Sequence, residues 1–414
     1  MLQWVTAICF SLGVGVASYG ILPWPILALG LVVGVLLLVL RFRLRGNFWC
    51  SLVVNVFFAG ATWFTLRQAL AAESNQSEQQ TWIESISHSV SDFATERLVQ
   101  SGVKEENVAV VGAMLLGNRK ALSYEQKARF RSAGVQHLLA MSGLHIGIII
   151  GVFSFLFLQR VRYTRWRWPV LLLTLSLLWG YCVVAGMPQS LLRAMLMATL
   201  YYLTLFGRGK SQNSINLAHT LLLMLLIDPL CLFDIGTQLS FVAVGALIWL
   251  FPAIASIFPV SWFPDGRLGT CLHKVWQLFV VSLAAWLGTL PLCMYYFHQF
   301  LPWQPLVSVV LVPLTTVFLY MALVLLLFSF TGLWFLAGPI ATAINAFLGV
   351  ENYLLDRAGM LPFGTMTCPS VHWGHVILFY LLYAILLIGV KAPMKARIYA
   401  VPSLLFVLLV LYFI

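Results

Sequence analysis

A serine and a histidine lie three residues apart at the start of a long apolar run. Ser142 and His145 lead into residues 146–158, and on a helix their side chains lie about 60° apart, opposite Gly143 and Gly147. A polar group at membrane depth costs roughly 1–3 kcal/mol unless it is hydrogen-bonded. The pair therefore either bonds to backbone carbonyls in a packed core or lines a hydrated path. A catalytic Ser–His pair is disfavoured, because no Gly-x-Ser-x-Gly motif and no orienting acid accompany it.

A buried arginine is the second chemical signal. Arg193 lies in the apolar run 187–206, with Gln189 and Ser190 on the same helical face. An arginine inside the membrane needs a partner and marks a functional site by default. Two interpretations stay open: a structural ion pair with Asp228 or Asp234, or a contact with the phosphates of a ligand.

The segment 228–241 adds polar residues to the same region. Pro229 and Gly236 predict a break between two helices at an outer turn. Counting about 1.5 Å per residue from the predicted helix ends places five polar side chains in the outer half of the membrane. They are His145, Arg193, Asp228, Gln238 and Ser240. This clustering predicts a polar vestibule that is open to the outside.

The composition sets the class of protein that carries these residues. Of 414 residues, 61% are hydrophobic and 9% are charged, which excludes a soluble domain. Repeated apolar runs of about 20 residues predict an all-α, polytopic transmembrane helical bundle of about 11–13 membrane helices. The predicted spans are 4–22, 24–40, 48–66, 137–158, 169–186, 189–206, 214–233, 237–257, 275–297, 303–328, 333–355, 372–390 and 398–414. The first is interpreted as a retained helix, because it lacks a basic start and a cleavage site.

The net charge of +11 has two possible origins, nucleic-acid binding and membrane topology. Basic clusters at residues 41–45, 160–167, 208–210 and 391–397 fall on alternate connections between the predicted spans. Loops on the cytoplasmic side carry excess lysine and arginine. The pattern therefore favours topology as the origin of the charge and predicts a cytoplasmic N-terminus.

Three regions are predicted: N-terminal membrane helices at 1–66, a short helical extracytoplasmic segment at 67–136, and a membrane core at 137–414. In the extracytoplasmic segment, Trp82, Ile86, Val90 and Phe93 form one stripe of an amphipathic helix. That helix is expected to lie flat on the outer leaflet or against the bundle.

A second extracytoplasmic helix is predicted from its end signals. Ser123 and Gln126 match a capping box, and Gly134 is a helix stop. Five basic residues on and before this helix define what we call the basic collar: Arg119, Lys120, Lys127, Arg129 and Arg131. The collar is either an ordinary solvated face or a surface that attracts phosphates at an outer mouth.

Several chemistries find no support in the sequence. The closest match to a phosphate-binding loop, at 204–211, has Thr204 where its first glycine belongs, so ATP binding is not expected. No His-Glu-x-x-His motif and no cluster of histidine, aspartate and cysteine occurs, so neither a metal nor a cofactor is expected. The seven cysteines are scattered and read as small buried hydrophobic residues.

Several motifs together resemble the ComEC family of competence proteins. The stretch 134–147 resembles the family's central signature, and Gly117-Asn118-Arg119 resembles its Gly-polar-Arg element. Ser190-Leu191-Leu192-Arg193-Ala194, Asn216, Asp228-Pro229, Gln238-Leu239-Ser240-Phe241, Leu290-Pro291 and Phe297-His298-Gln299-Phe300 follow in the family's order. The resemblance covers roughly residues 108–320.

The resemblance implies a channel in the bacterial cytoplasmic (inner) membrane for uptake of single-stranded transforming DNA into the cytoplasm. It also implies partners: the lipid bilayer, a cytosolic ATP-driven motor, a periplasmic DNA receptor and a separate nuclease. Family members usually carry a β-rich extracytoplasmic domain, and many carry a metallo-β-lactamase-like domain. Here 67–136 reads helical and no His-x-His-x-Asp-His motif occurs, so we expect the channel core alone, without enzymatic activity. The alternative is a transporter or lipid-handling protein that shares the fold without a role in competence.

Overall fold

Apolar stretches in this chain form helices, because a helix satisfies its own backbone hydrogen bonds where lipid offers no partner. The computed structural model describes residues 6, 8–12, 14, 56, 59–61, 63–64, 77–139, 143–154, 158, 164–207, 213–331, 334–362, 366–368 and 371–390. The fragments before residue 77 are helical where they are described.

The described chain is a succession of helices. They are α1 Ser77–Gln100, α2 Glu105–Leu116, α3 Tyr124–Ser132, α4 Gln136–Leu139, α5 Gly143–Phe153, α6 Arg167–Val184, α7 Gln189–Phe206, α8 Asn213–Ile227, α9 Ile235–Ala255, α10 Arg267–Phe297, α11 Gln304–Thr331, α12 Trp334–Gly359 and α13 Trp373–Val390. Short 3₁₀ helices form at Arg119–Ala121, Pro229–Phe233 and Val260–Trp262. Two-residue strands β1 (Gln299–Phe300) and β2 (Met366–Thr367) pair antiparallel.

Several helices are suited to a bilayer. Within the described ranges, four are long and apolar enough to cross it: Arg167–Val184, Ile235–Ala255, Arg267–Phe297 and Gln304–Ser329. Asn213–Ile227 and Trp373–Tyr383 are shorter apolar helices. Leu172, Leu173 and Leu177 of α6 are exposed, as expected of side chains that face lipid. The chain is an all-α membrane protein, as predicted.

The predicted spans agree with the helices where both are described, apart from some ends. The span 189–206 matches α7. The predicted span 214–233 is too long, because α8 ends at Ile227 and Pro229 starts a 3₁₀ helix. The helix expected at 275–297 begins earlier, at Arg267, and the one expected at 333–355 extends to Gly359. The spans 24–40 and 398–414, and most of 4–22 and 48–66, lie outside the described residues.

The segment predicted to be extracytoplasmic is helical where it is described, as expected. Ser123 and Gln126 form the predicted capping box, in which each side chain bonds to the backbone of the other residue. Gly134, with φ of 76°, follows α3 and allows the N–H of Val135 to bond to the carbonyl of Phe130. This is the bond pattern of a glycine-terminated helix.

The face of α1 that packs against protein is not the predicted apolar stripe. Ser91, Ala94 and Leu98 are buried, whereas Ile86 and Phe93 are 39% and 40% exposed. The side chain of Trp82 lies outside the described residues. The predicted stripe is thus only partly exposed, and the guanidinium carbon of Arg97 lies 4.9 Å from the centre of the Phe93 ring. Its placement on the outer leaflet stays a prediction.

The chain divides into two compact units, one of residues 1–90 and 142–238, the other of 91–141 and 239–414. In the first, α6, α7 and α8 pack in sequence and α5 packs on α7. Part of its core contains Leu171, Leu175, Tyr202 and Phe206. In the second, α10, α11 and α12 pack in sequence, α2 packs on α11, and α3 packs on α12.

Candidate functional site: a buried arginine at a helix N-terminus

Arg193 projects from the second turn of α7. The helix begins at Gln189, after Pro188 in an extended conformation, so the polar residues of this segment fall near one end of the helix. The side chain of Arg193 is only 4% exposed. A guanidinium so deeply buried must find partners within the protein, because the loss of water otherwise destabilises it.

Three contacts hold the guanidinium. Nη1 donates to Oγ1 of Thr237 at 2.8 Å, and Nη2 donates to the carbonyl oxygen of Gly236 at 3.0 Å. Nη1 also lies 3.8 Å from Oδ2 of Asp234. Of the two aspartates that the sequence left open, Asp234 is therefore the ionic partner.

Asp234 also caps α9. Its Oδ2 accepts from the backbone N–H of Thr237 at 2.7 Å and from the hydroxyl of the same residue at 2.9 Å. A carboxylate is favourable at a helix N-terminus, where unpaired N–H groups carry partial positive charge, and a bare guanidinium is not. Asp234 thus neutralises Arg193 and the end of α9 together, and the three side chains join α7 to the first turn of α9.

Asp228 has a different role. Its Oδ1 accepts from the N–H of Leu230 at 3.0 Å and caps the 3₁₀ helix that starts at Pro229. The predicted helix break is correct at Pro229 but wrong at Gly236, which lies within the first turn of α9. The connection between α8 and α9 therefore runs from Asp228 to Asp234, longer than the 234–236 that the predicted spans leave between them.

The remaining vestibule residues are placed only in part. Nε2 of Gln238 donates to the carbonyl of Leu232 at 3.0 Å, which holds this side chain against the same turn. Ser240 follows in α9 and is half-buried. Ser142 and the side chain of His145 lie outside the described residues. The structure thus brings Arg193, Asp228 and Gln238 to one turn, and the hydrated-path role of the Ser–His pair stays a prediction.

The exposed charge at this site is negative rather than positive. The accessible group is the carboxylate of Asp234, whose side chain is 47% exposed, while the guanidinium is turned inward. Only Nε of Arg193 has no hydrogen-bond acceptor in the described part of the chain. Contact between Arg193 and phosphates stays a prediction, and in this arrangement its other donors serve the chain itself.

Two residues of this site were not given their roles by the sequence reasoning. Thr237 was not singled out, and Asp234 was considered only as an ion-pair partner. A signal was present, since an aspartate three residues before a threonine at the start of an apolar run matches an N-cap and its N3 residue. The sequence contains no comparable signal for the contact with Arg193, which is remote in the chain.

The basic collar sits on firmly held elements. The side-chain amide of Gln126 donates to the carbonyl of Glu106 at 2.7 Å, and Phe130 is buried beneath α3. Arg129 differs from the rest, because it pairs with Glu125 at 2.8 Å and with Asp356 of α12 at 3.5 Å. Within the described ranges, no ion pair involves the other four, Arg119, Lys120, Lys127 and Arg131.

No group of three or more His, Cys, Asp or Glu side chains among the described residues is placed to hold a metal ion. The expected lack of a metal or cofactor remains a prediction. The described site offers charge neutralisation and hydrogen bonding.

Comparisons with known proteins bear on the membrane core. A family profile described as "Competence protein" matches residues 114–393. The chain is 33% identical over 195 residues to "ComE operon protein 3" of Bacillus subtilis (strain 168), covering 47% of this chain and 23% of that protein. It is 28% identical over 218 residues to "Competence protein ComA" of Neisseria gonorrhoeae, covering 51% and 29%.

A third relative is "Uncharacterized protein YcaI" of Escherichia coli (strain K12), 30% identical over 246 residues, covering 55% of this chain and 31% of that protein. The chain spans less than a third of the length of each of these relatives. No solved structure matches it. Because the family profile matches well over half of the 414 residues, the chain belongs to the competence protein family.

Proposed function

We propose that this protein forms the path by which single-stranded transforming DNA crosses the cytoplasmic membrane of a bacterium. The observation that carries the proposal is the family match over residues 114–393, which includes in full all four of the long apolar helices named above and all of α7. One relative is named "Competence protein ComA" and another "ComE operon protein 3", and these names support the same role here.

A DNA strand carries one negative charge about every 3.4 Å, so it needs cations and donors outside and a polar route within. The basic collar supplies the cations. Arg119 and Lys120 are exposed on the 3₁₀ helix, and Arg131 is exposed on α3. Because carboxylates do not neutralise them in the described part of the chain, their charges remain available to a polyanion.

The proposal includes orientation and partners. Basic clusters on alternate connections support a cytoplasmic N-terminus and several passes through the inner membrane. The collar then lies outside, where DNA arrives from a periplasmic receptor. We propose that the chain is a conduit and not an enzyme, that a separate nuclease prepares the single strand, and that a cytosolic ATP-driven motor pulls it inward.

Gene deletion tests the proposal. Deletion is expected to abolish transformation while DNA still binds at the cell surface, and the intact gene is expected to restore transformation. Normal transformation after deletion, in a strain that takes up DNA, would contradict the proposal.

Paired charge removals refine this test. Arg119→Gln with Lys120→Gln is expected to weaken uptake most at low salt. Uptake by this variant should also depend less on salt than uptake by the wild type, because fewer phosphate contacts release fewer counterions. The matched control is Arg165→Gln with Arg167→Gln, which removes the same number of charges from a connection predicted to lie inside. Equal loss of uptake in both pairs would show that the collar has no special role.

A transporter or lipid-handling protein without a role in competence is the second candidate. A relative of 30% identity over 55% of the chain is named as uncharacterised, so its name supports neither candidate. Under this candidate, deletion leaves transformation intact and changes the cell's lipid or solute content.

A further inference from the structure

A glutamate is enclosed between two helices of the second unit. Glu351 of α12 is 1% exposed and lies eight residues before Gly359, roughly 12 Å along the helix from its end. Its Oε1 accepts from the hydroxyl of Thr315 in α11 at 2.8 Å, and Thr315 is itself fully buried. A carboxyl group is therefore held at a defined place inside a helix pair.

The second carboxyl oxygen has no such partner. Oε2 of Glu351 is buried, and no group in the described part of the chain hydrogen-bonds to it. No nitrogen of a described lysine, arginine or histidine lies within 4.0 Å of either oxygen. The carboxyl group thus has one hydrogen bond and no neutralising cation among the described residues.

Charged residues lie on the elements packed against α12, including Lys104, Glu105 and Glu106 beside Asn345, but no described ion pair joins any of them to Glu351. The only titratable residue of α11 is Tyr320. The other titratable residues on α3 and α12 are Tyr124, Glu125, Lys127, Arg129, Arg131, Tyr353, Asp356 and Arg357. Arg129 pairs with Glu125 and Asp356, and Nε of Arg357 donates to the hydroxyl of Tyr353 at 3.2 Å.

An ionised carboxylate is strongly disfavoured in such surroundings, because it has lost water and gained neither a cation nor enough hydrogen bonds. The protonated form removes the charge and keeps the bond to Thr315, with Oε1 as the carbonyl oxygen and Oε2 as the hydroxyl oxygen. A glutamate kept only for packing needs no carboxyl group, since an apolar side chain of similar volume fills the space at lower cost.

We propose that Glu351 is a proton-binding site within the membrane core, occupied by a proton while α11 and α12 are closely packed. Release breaks the O–H bond at Oε2 and passes the proton to water, so it requires water to reach the carboxyl group. The charge of this site is thereby tied to separation of the two helices. The proposal does not depend on the transport of DNA.

Infrared spectroscopy of the whole protein in lipid vesicles tests the proposal, because a protonated carboxyl group has its own carbonyl stretching band. We expect this band in the wild-type spectrum near neutral pH and its loss in Glu351→Gln, which keeps the acceptor for Thr315. The band should persist in Asp356→Asn. This control removes another carboxyl group of α12, which is 45% exposed and pairs with Arg129 of α3. If the wild-type spectrum contains no carbonyl band that disappears in Glu351→Gln, the proposal is wrong.

A second variant covers the case in which Glu351→Gln does not fold. Thr315→Val is close in shape, keeps Glu351 and removes the one donor to Oε1. The carbonyl band is expected to move to higher wavenumber, because a hydrogen bond to a carbonyl oxygen lowers its stretching frequency. If folded Thr315→Val protein shows only ionised carboxylate bands, Glu351 is not protonated and the proposal is wrong.

Discussion

The link between Arg193 and Asp234 makes a prediction that can be worked out from the structure. In Asp234→Asn, the amide oxygen can still cap α9, since asparagine is as good an N-cap as aspartate. What is lost is the attraction to Nη1 of Arg193 across 3.8 Å. Two unit charges at that distance attract by about 4 kcal/mol at an effective dielectric constant of about 20.

Solvent reduces this figure, because the side chain of Asp234 is 47% exposed. We therefore expect Asp234→Asn to lower the free energy of unfolding by about 1–3 kcal/mol. In the background of Arg193→Met, which replaces the cation by an apolar side chain, the same change should cost less than about 0.5 kcal/mol. The difference between the two costs measures the interaction itself.

The assay is the apparent thermal midpoint of the purified protein in one detergent and at one heating rate, for the wild type, both single variants and the double variant. For a chain of 414 residues, a cost of about 1–3 kcal/mol corresponds to a fall of roughly 1–4 °C. Asp228→Asn is the matched control, because it caps the neighbouring 3₁₀ helix without touching Arg193, and its effect should be the same in both backgrounds. If Asp234→Asn costs the same with and without Arg193, the reasoning is refuted.

Three further predictions follow from named residues. Arg193→Lys cannot bond to Thr237 and Gly236 together as the planar guanidinium does. If Arg193→Lys reaches normal amounts in the membrane but DNA uptake is impaired, Arg193 contacts the DNA strand. If uptake is normal while folded Arg193→Ala is lost, Arg193 has a structural role. Asn345→Leu removes three hydrogen bonds, to Gly102, Lys104 and Asn107, and should speed amide hydrogen exchange at residues 102–104. Unchanged exchange would show that these bonds do not hold the segment. In a chain freed of its seven cysteines, cysteines at Gln80 and Arg162 should react with an impermeant reagent from outside and inside respectively, and labelling of both from one side would show that the span count is wrong.

The helical class and many helix ends could be predicted because they depend on neighbours in the chain. An apolar run has no backbone partner in lipid other than itself, so residues 189–206 become α7 whatever surrounds them. The capping box of Ser123 and Gln126 joins residues one helical turn apart, and it forms as expected. The motifs of the membrane core likewise indicated the family, because they are read in order along the chain.

Packing alone determined which side chains meet across the chain. Asp228 and Asp234 lie at the two ends of one connection, and the sequence does not show which of them pairs with Arg193. The rotation and height of α7 beside α9 bring Arg193 to Asp234 and Thr237. The buried face of α1 was likewise chosen by its neighbours, which cover Ser91 and Leu98 and leave Phe93 exposed. Glu351 shows the same limit, since its burial against Thr315 depends on how α12 packs on α11. A bond within one turn is fixed by local geometry, whereas a pair 36 or 44 residues apart depends on helix packing that no local pattern encodes.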